Sequence, residues 1–278
     1  MSSTVQHDLI SAARAAGRGL GAFNVVLLEH AEAIVTGAEQ AGLPVVLQIS
    51  QNTARYHGAF EPVAVASLAL ARQSRVPTIV HLDHAEDVEL VHAAVALGVQ
   101  SVMFDGSALP YEENLATTRA VVEHCHAHGV LVEAELGEVG GKDGVHAPGV
   151  RTSPQDAAAF VAATGVDSLA VAVGTSHAMT SRVATVDREL ITRLADAAGV
   201  PLVLHGSSGL SDDELTGAVH AGMTKINIST HLNALFTAAA RAVLEADAGV
   251  VDPRTYITPA RTAVAVEVER LLRLLGRG

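Results

Sequence analysis

The stretch Thr78-Ile79-Val80-His81-Leu82-Asp83-His84, followed by Glu86 to Leu97, Gly98 and Ser101 to Gly106, decides how the chain is read. A short β-branched apolar run ending in two ionisable residues has the pattern of a buried strand whose last side chains reach a surface. The segment after it is rich in Ala and Val at helical spacing, and Gly98 suits the left-handed residue that ends a helix. A second apolar run starts at once. Strand, helix and strand in this order make the crossover of a parallel sheet, which is buried on both faces.

Working outward, the same unit recurs eight times. The expected strands are Gly19 to Val26, Pro44 to Ser50, Thr78 to His84, Ser101 to Gly106, Leu131 to Gly137, Ser168 to Gly174, Pro201 to Ser207 and Lys225 to His231. The expected helices are Glu29 to Ala41, Glu61 to Ser74, Glu86 to Leu97, Tyr111 to His128, Ser153 to Thr164, Val186 to Ala198, Ser211 to Ala221 and His231 to Asp247. Ser153 and Ser211 stand where a hydroxyl would cap the first turn. Gly42, Gly98, Gly129, Gly165, Gly199 and Gly222 each stand between a helix and the next strand. No Ser/Gly/Pro linker interrupts the series. The expectation is an α/β chain forming one domain over 1–278, a single (β/α)₈ TIM barrel with an extra C-terminal helix within Val250 to Leu275.

Composition narrows the function. The 278 residues are 49% hydrophobic and 17% charged, so there is ample aliphatic surface for a core. The net charge is −12, with no basic cluster, which disfavours nucleic acid and anionic membranes as partners. No apolar run approaches the ~20 residues that span a bilayer, and residues 1–17 lack a leader pattern, so a soluble, cytoplasmic protein is expected. The single Cys125 can form no internal disulfide and no cysteine-based metal cluster, while fourteen His are present.

In such a barrel chemistry sits at the C-terminal ends of the strands. Those ends read Asn24, Ser50, Asp83 with His84, Asp105, Glu135, His177 just past strand six, His205 and Asn227. All are polar or ionisable. His84, His177 and His205 would converge on the mouth, and three imidazoles with an open fourth position suit a catalytic divalent ion. A lone strand His is more often a hydrogen-bonded core residue, and His81, within its strand, reads as such a packed residue or as a support behind the ligands; His92, His124, His126, His128 and His220 fall on helices and read as surface. Asp83 is a candidate acid/base, or else a support for a neighbouring imidazole. Asp105 and Glu135 read equally well as further metal ligands or as partners of a nearby Lys or loop. Gly206-Ser207-Ser208-Gly209, with Asn227, Ser229 and Thr230, offers small residues and amides to an anion.

The strings Val80-His81-Leu82-Asp83-His84, Ser101 to Ser107, Val132 to Gly137, Gly174-Thr175-Ser176-His177, Leu204 to Gly209 and Lys225-Ile226-Asn227-Ile228 resemble the class II fructose-bisphosphate aldolase family, which includes tagatose-bisphosphate and related ketose-phosphate aldolases. The likeness runs from about Gly21 to Pro253-Arg254-Thr255-Tyr256. It implies reversible retro-aldol cleavage of a phosphorylated ketose to dihydroxyacetone phosphate and an aldehyde, dependent on Zn²⁺ or another divalent ion and with a monovalent cation, Na⁺ or K⁺, near the substrate. It implies His84, His177 and His205 as zinc ligands, Asp83 as proton donor to the aldehyde-side oxygen, and Asp105 and Glu135 as ligands of a second metal position. Asn24, Ser50, Ala178, Gly206, Ser207, Ser208, Asn227, Ser229 and Thr230 are the implied substrate contacts. A homodimer or homotetramer is implied as well.

Three positions depart from the family pattern. Ala178, followed by Met179 and Thr180, replaces Gly after His177; a backbone contact to phosphate survives that change, whereas a positive φ would be strained. Ser229-Thr230-His231 replaces a continuation carrying an acid, which alters charge and reach around the substrate. The loop Gly140 to His146 lacks the family's proton-removing Glu, and Asp143, or failing it Glu138, is the expected replacement. The competing readings are a related lyase for another phosphorylated keto-sugar or keto-acid, and a phosphosugar-binding barrel with impaired turnover.

Overall fold

The structure is a computed structural model that describes residues 3–136, 151–176 and 179–277, with side chains from Leu9 onward. Eight parallel strands pair in chain order and close, β8 returning to β1. In sequence the elements are α1 (Ser3–Ala15), β1 (Leu20–Asn24), α2 (Leu28–Ala41), β2 (Val45–Ser50), α3 (Gln51–His57), α4 (Glu61–Gln73), β3 (Thr78–Ala85), α5 (Val88–Leu97), β4 (Ser101–Phe104), α6 (Tyr111–Ala127), β5 (Leu131–Leu136), α7 (Pro154–Thr164), β6 (Ser168–Val171), α8 (Arg188–Ala198), β7 (Leu202–Leu204), α9 (Asp212–Ala221), β8 (Met223–Ile228), α10 (Thr230–Ala246) and α11 (Pro253–Leu275). The expected (β/α)₈ barrel with its extra C-terminal helix is what forms.

The caps behave as their chemistry dictates. Ser153 accepts from the amide of Asp156 and Ser211 from that of Glu214, each satisfying a first-turn donor. Gly42, Gly98, Gly165 and Gly199 end their helices at positive φ. Strands one, four, six, seven and eight stop sooner than expected, at Asn24, Phe104, Val171, Leu204 and Ile228. Gly174 (φ 121°) and Gly206 (φ 68°) turn the chain out of the pleat beyond strands six and seven. Two helices were not expected. α1 covers the lower end of the barrel, where Ile10 packs with Leu20, Ala22, Val46 and Ile79. The short α3 is nucleated by Ser50, whose hydroxyl accepts from the amide of Thr53.

Side chains alternate across a strand, so residues two apart share a face. On β3 that places Ile79, His81 and Asp83 in one column, and on β5 Leu131, Glu133 and Glu135. The barrel interior therefore passes from an apolar floor, through a buried charged level, to the polar mouth. Between strands and helices the packing is aliphatic, with Phe23, Phe104 and Phe160 among the largest buried side chains. The apolar face of α11, including Val264, Val268, Leu271 and Leu275, joins the same core and packs on α2 and α10, so it serves the barrel rather than standing exposed. No helix among the described residues is long and apolar enough to cross a membrane.

Candidate active site

A regular strand cannot send two consecutive side chains to the same side. At the end of β3 it happens nonetheless: Asp83 and His84 both line one pocket at the barrel mouth. Leu82 pairs with Val102 and Ala85 with Phe104, so β3 carries one residue more than β4 over this interval. That is a β-bulge, and within it His84 takes φ 48°, the one left-handed non-glycine among the described residues. Such a conformation costs on the order of 1–3 kcal/mol and persists where surrounding contacts hold it. Here Asp105 does so, with Oδ2 2.9 Å from Nδ1 of His84.

The bulge brings His84 to His205, the two rings meeting edge to face with centroids 4.7 Å apart. Glu135 completes a group whose ligand atoms lie within 4.8 Å of one another. Two imidazoles and a carboxylate form a donor set suited to a divalent transition ion. His177, the third expected ligand, lies outside the described residues, as do Ala178, Glu138 and Asp143. Asp105 stands behind His84 rather than within the group: its Oδ1 accepts from the Ser107 hydroxyl at 2.6 Å.

Beneath this group is a level that the sequence reading did not assign to the site. Glu133 Oε1 lies 3.1 Å from Nε2 of His205, and Oε2 lies 2.7 Å from the Lys225 ammonium. On the other edge of the ring, Nδ1 of His205 is 3.1 Å from Oε2 of Glu135. Burial opposes a charge on His205, but hydrogen bonds to Glu133 and Glu135 prevail and raise its pKa to about 10. Burial likewise opposes ionisation of Glu133, and Lys225 and His205 reverse it, holding the carboxyl far below the usual range. His81 is a packed core residue, as expected; burial, with Lys225 adding to it, pushes its imidazole down to about 3. The available signal was a second acid two residues before Glu135 in β5 and a lone base within β8.

Along the wall of the mouth, Gln48 donates to Asn24 at 3.2 Å, and Asn24 donates to Oδ2 of Asp83 at 2.8 Å. Burial raises the Asp83 pKa, while His84 and Lys225 outweigh it and leave the carboxyl below its ordinary value. Oδ1 of Asp83 and Oδ1 of Asn227 are buried with no hydrogen-bond partner among the described residues. Two orphaned acceptors on one pocket are the complement of a ligand rich in hydroxyl groups.

The pocket encloses about 590 Å³, partly open to solvent, and is lined by Asn24, Ser50, Asp83, His84, Gly206, Ser208, Asn227, Ser229 and Thr230. Every expected substrate contact among the described residues lies on it except Ser207, whose hydroxyl donates to the carbonyl of Leu204 instead. Ser208 ties two loops together: its hydroxyl accepts from the amides of Ser229 and His231 at the start of α10. Gly206 leaves no room for a side chain, because a Cβ there would come 2.6 Å from the carbonyl oxygen of Ser176.

Comparisons with known proteins agree with this geometry. Residues 5–278 match the model of the family described as fructose-bisphosphate aldolase class-II. The chain is 38% identical over 280 residues to a fructose-bisphosphate aldolase of Geobacillus stearothermophilus, covering 99% of this chain and 98% of that one. Its fold superposes on the crystal structure of the YdjI aldolase from Escherichia coli K12 with a TM-score of 0.86 at 32% identity, covering 98% and 96% of the two chains. The fructose-bisphosphate aldolase of Campylobacter jejuni, 22% identical with a TM-score of 0.82 over 99% and 95%, shares the fold. The chain belongs to the class II fructose-bisphosphate aldolase family of metal-dependent lyases.

Proposed function

We propose that this chain, acting as one barrel domain over residues 1–278, cleaves a phosphorylated ketose reversibly to dihydroxyacetone phosphate and an aldehyde. The observation that carries this is the placing of Asp83 beside His84 by the β3 bulge, which sets an acid/base group next to the candidate metal ligands in the same pocket. His84, Glu135 and His205 would hold the ion together with His177, and zinc suits imidazole and carboxylate donors. When bound there, the ion would polarise the ketone and stabilise the negative charge released as the carbon–carbon bond breaks.

The chain's own groups divide the remaining work. Gly206, Ser208, Ser229 and Thr230, beside the start of α10, would bind the phosphate through small side chains and backbone amides. Asn227 Oδ1 would accept from a hydroxyl of the ketose half. In cleavage, Asp83 Oδ1 accepts the proton of the hydroxyl on the aldehyde-side carbon, while Asn24 holds the other carboxylate oxygen; in condensation the same oxygen returns that proton. Asp143 is proposed to exchange the proton at the carbon of the ketose-side fragment. Elemental analysis of the purified protein tests the metal assignment. Hydrogen exchange from dihydroxyacetone phosphate tests Asp143: loss of exchange in Asp143→Ala supports the assignment, and unchanged exchange removes it.

A further inference from the structure

We infer that Glu133 and Lys225 are positioning residues for the metal, acting through His205. The ion pair they form grips the imidazole by Nε2 and so turns Nδ1 to the side where Glu135 stands. This rests on the function proposed above, since it concerns the ion that the mouth would hold.

Neutral imidazole carries one proton, and the partner of one ring nitrogen decides which of the two bears it. A carboxylate only accepts. Each ring nitrogen of His205 faces a carboxylate, Nε2 at 3.1 Å from Glu133 Oε1 and Nδ1 at 3.1 Å from Glu135. On a ring that binds an ion one nitrogen must give up its proton, and the Glu133 contact keeps the proton on Nε2 and leaves Nδ1, beside Glu135, as the nitrogen that would become the ligand. Glu133 can serve only if its carboxylate stays charged and keeps its direction inside the barrel. Lys225 provides both, with Nζ 2.7 Å from Oε2, so that Oε1 remains aimed at the ring. The ammonium is itself located by Nε2 of His81 at 3.4 Å, and His81 by the Ser101 hydroxyl at 2.8 Å. The chain of contacts thus joins β8, β5, β3 and β4 and ends on a candidate ligand at β7.

Stability alone does not account for this arrangement. A buried ion pair is commonly no better than apolar residues of the same size, while removal of one member is strongly destabilising. Lys225 is 2% exposed and Glu133 1%, and neither lines the substrate pocket, so direct substrate contact does not explain them either. Among the described residues, the hydrogen bonds of this pair reach the mouth through His205.

The test uses metal-free full-length protein, titrated with Zn²⁺ against a chromophoric chelator, and with Co²⁺ while the visible absorption is recorded. Glu133→Gln can present an amide N–H to Nε2 and favour the wrong tautomer; the paired change Glu133→Met with Lys225→Met removes both charges together and avoids leaving either one buried alone. Both are expected to bind Zn²⁺ roughly 10–100-fold more weakly than the wild type, with an altered Co²⁺ spectrum. Wild-type affinity and spectrum in either folded variant would overturn the inference. If Glu133→Gln fails to fold, the paired variant decides. A wild-type chain that takes up no divalent ion would instead overturn the proposed function beneath it, a distinct result.

Discussion

Asn24 donates its side-chain amide to Oδ2 of Asp83 at 2.8 Å, leaving Oδ1 of that buried carboxylate with no partner among the described residues. An oriented carboxylate with one open oxygen is what proton transfer to or from a substrate hydroxyl requires. Asp83→Asn keeps the shape and loses the base, so kcat for cleavage should fall by roughly 10²–10⁴-fold. Steady-state kinetics checks this, with metal content measured in parallel; a wild-type kcat would remove Asp83 from the mechanism.

Gly206→Ala is expected to be damaging on two counts. The position has φ 68°, and the new methyl would meet a backbone carbonyl that cannot rotate away. A loss of roughly 1–3 kcal/mol in urea unfolding is expected, together with a raised KM for the phosphorylated substrate. Unchanged stability would show that the Ser176 segment yields freely.

Cys125 should be inert in the native protein. Burial, aided by the neighbouring Asp167 carboxylate, pushes its thiol up to about 12, so little thiolate exists at neutral pH. A thiol reagent should label one cysteine in denaturant and none in buffer. Rapid labelling of folded protein would contradict the packing of α6 on the barrel.

Acid should weaken the junction of α10 with α11. Burial opposes a charge on Glu267, yet hydrogen bonds from Arg270 and His231 lower its pKa from 4.5 to about 2. A depressed folded-state value means the contribution is complete above the unfolded value and is lost as pH falls through the folded one. The stability difference between wild type and Glu267→Gln should therefore hold constant from neutral pH down to about 4.5 and shrink towards about 2. Denaturant titrations at stepped pH give the difference directly. A gap that does not change over that interval would contradict the assignment.

The fold was legible because periodicity reports burial. Eight apolar runs, each ending in a polar residue, map onto eight paired strands, and the helix-ending glycines fall where positive φ is needed. Much of the pocket was legible for the same reason, since strand ends face the mouth. What pattern could not show was local geometry. A period of two would have sent Asp83 and His84 to opposite sides, and only the bulge, an event of pairing between β3 and β4, unites them. Ser207 turns to a carbonyl because the chain tightens into a single 3₁₀ turn at Ser207–Gly209, which neighbouring serines do not reveal. Glu133 and Lys225 are 92 residues apart, and their pairing depends on barrel closure. Asp105 lies 2.9 Å from Nδ1 of His84, a contact between β3 and the end of β4 that strand pattern alone does not reveal.

Carbon–carbon cleavage in this barrel is proposed to depend on a divalent ion held at His84, Glu135 and His205. Release of dihydroxyacetone phosphate from a panel of ketose bisphosphates, followed by a coupled assay before chelation, after chelation and after return of Zn²⁺, tests it most directly. Release from at least one member of the panel is expected, abolished by the chelator and restored by the ion. Undiminished release from protein shown by elemental analysis to be free of divalent transition metal would contradict it.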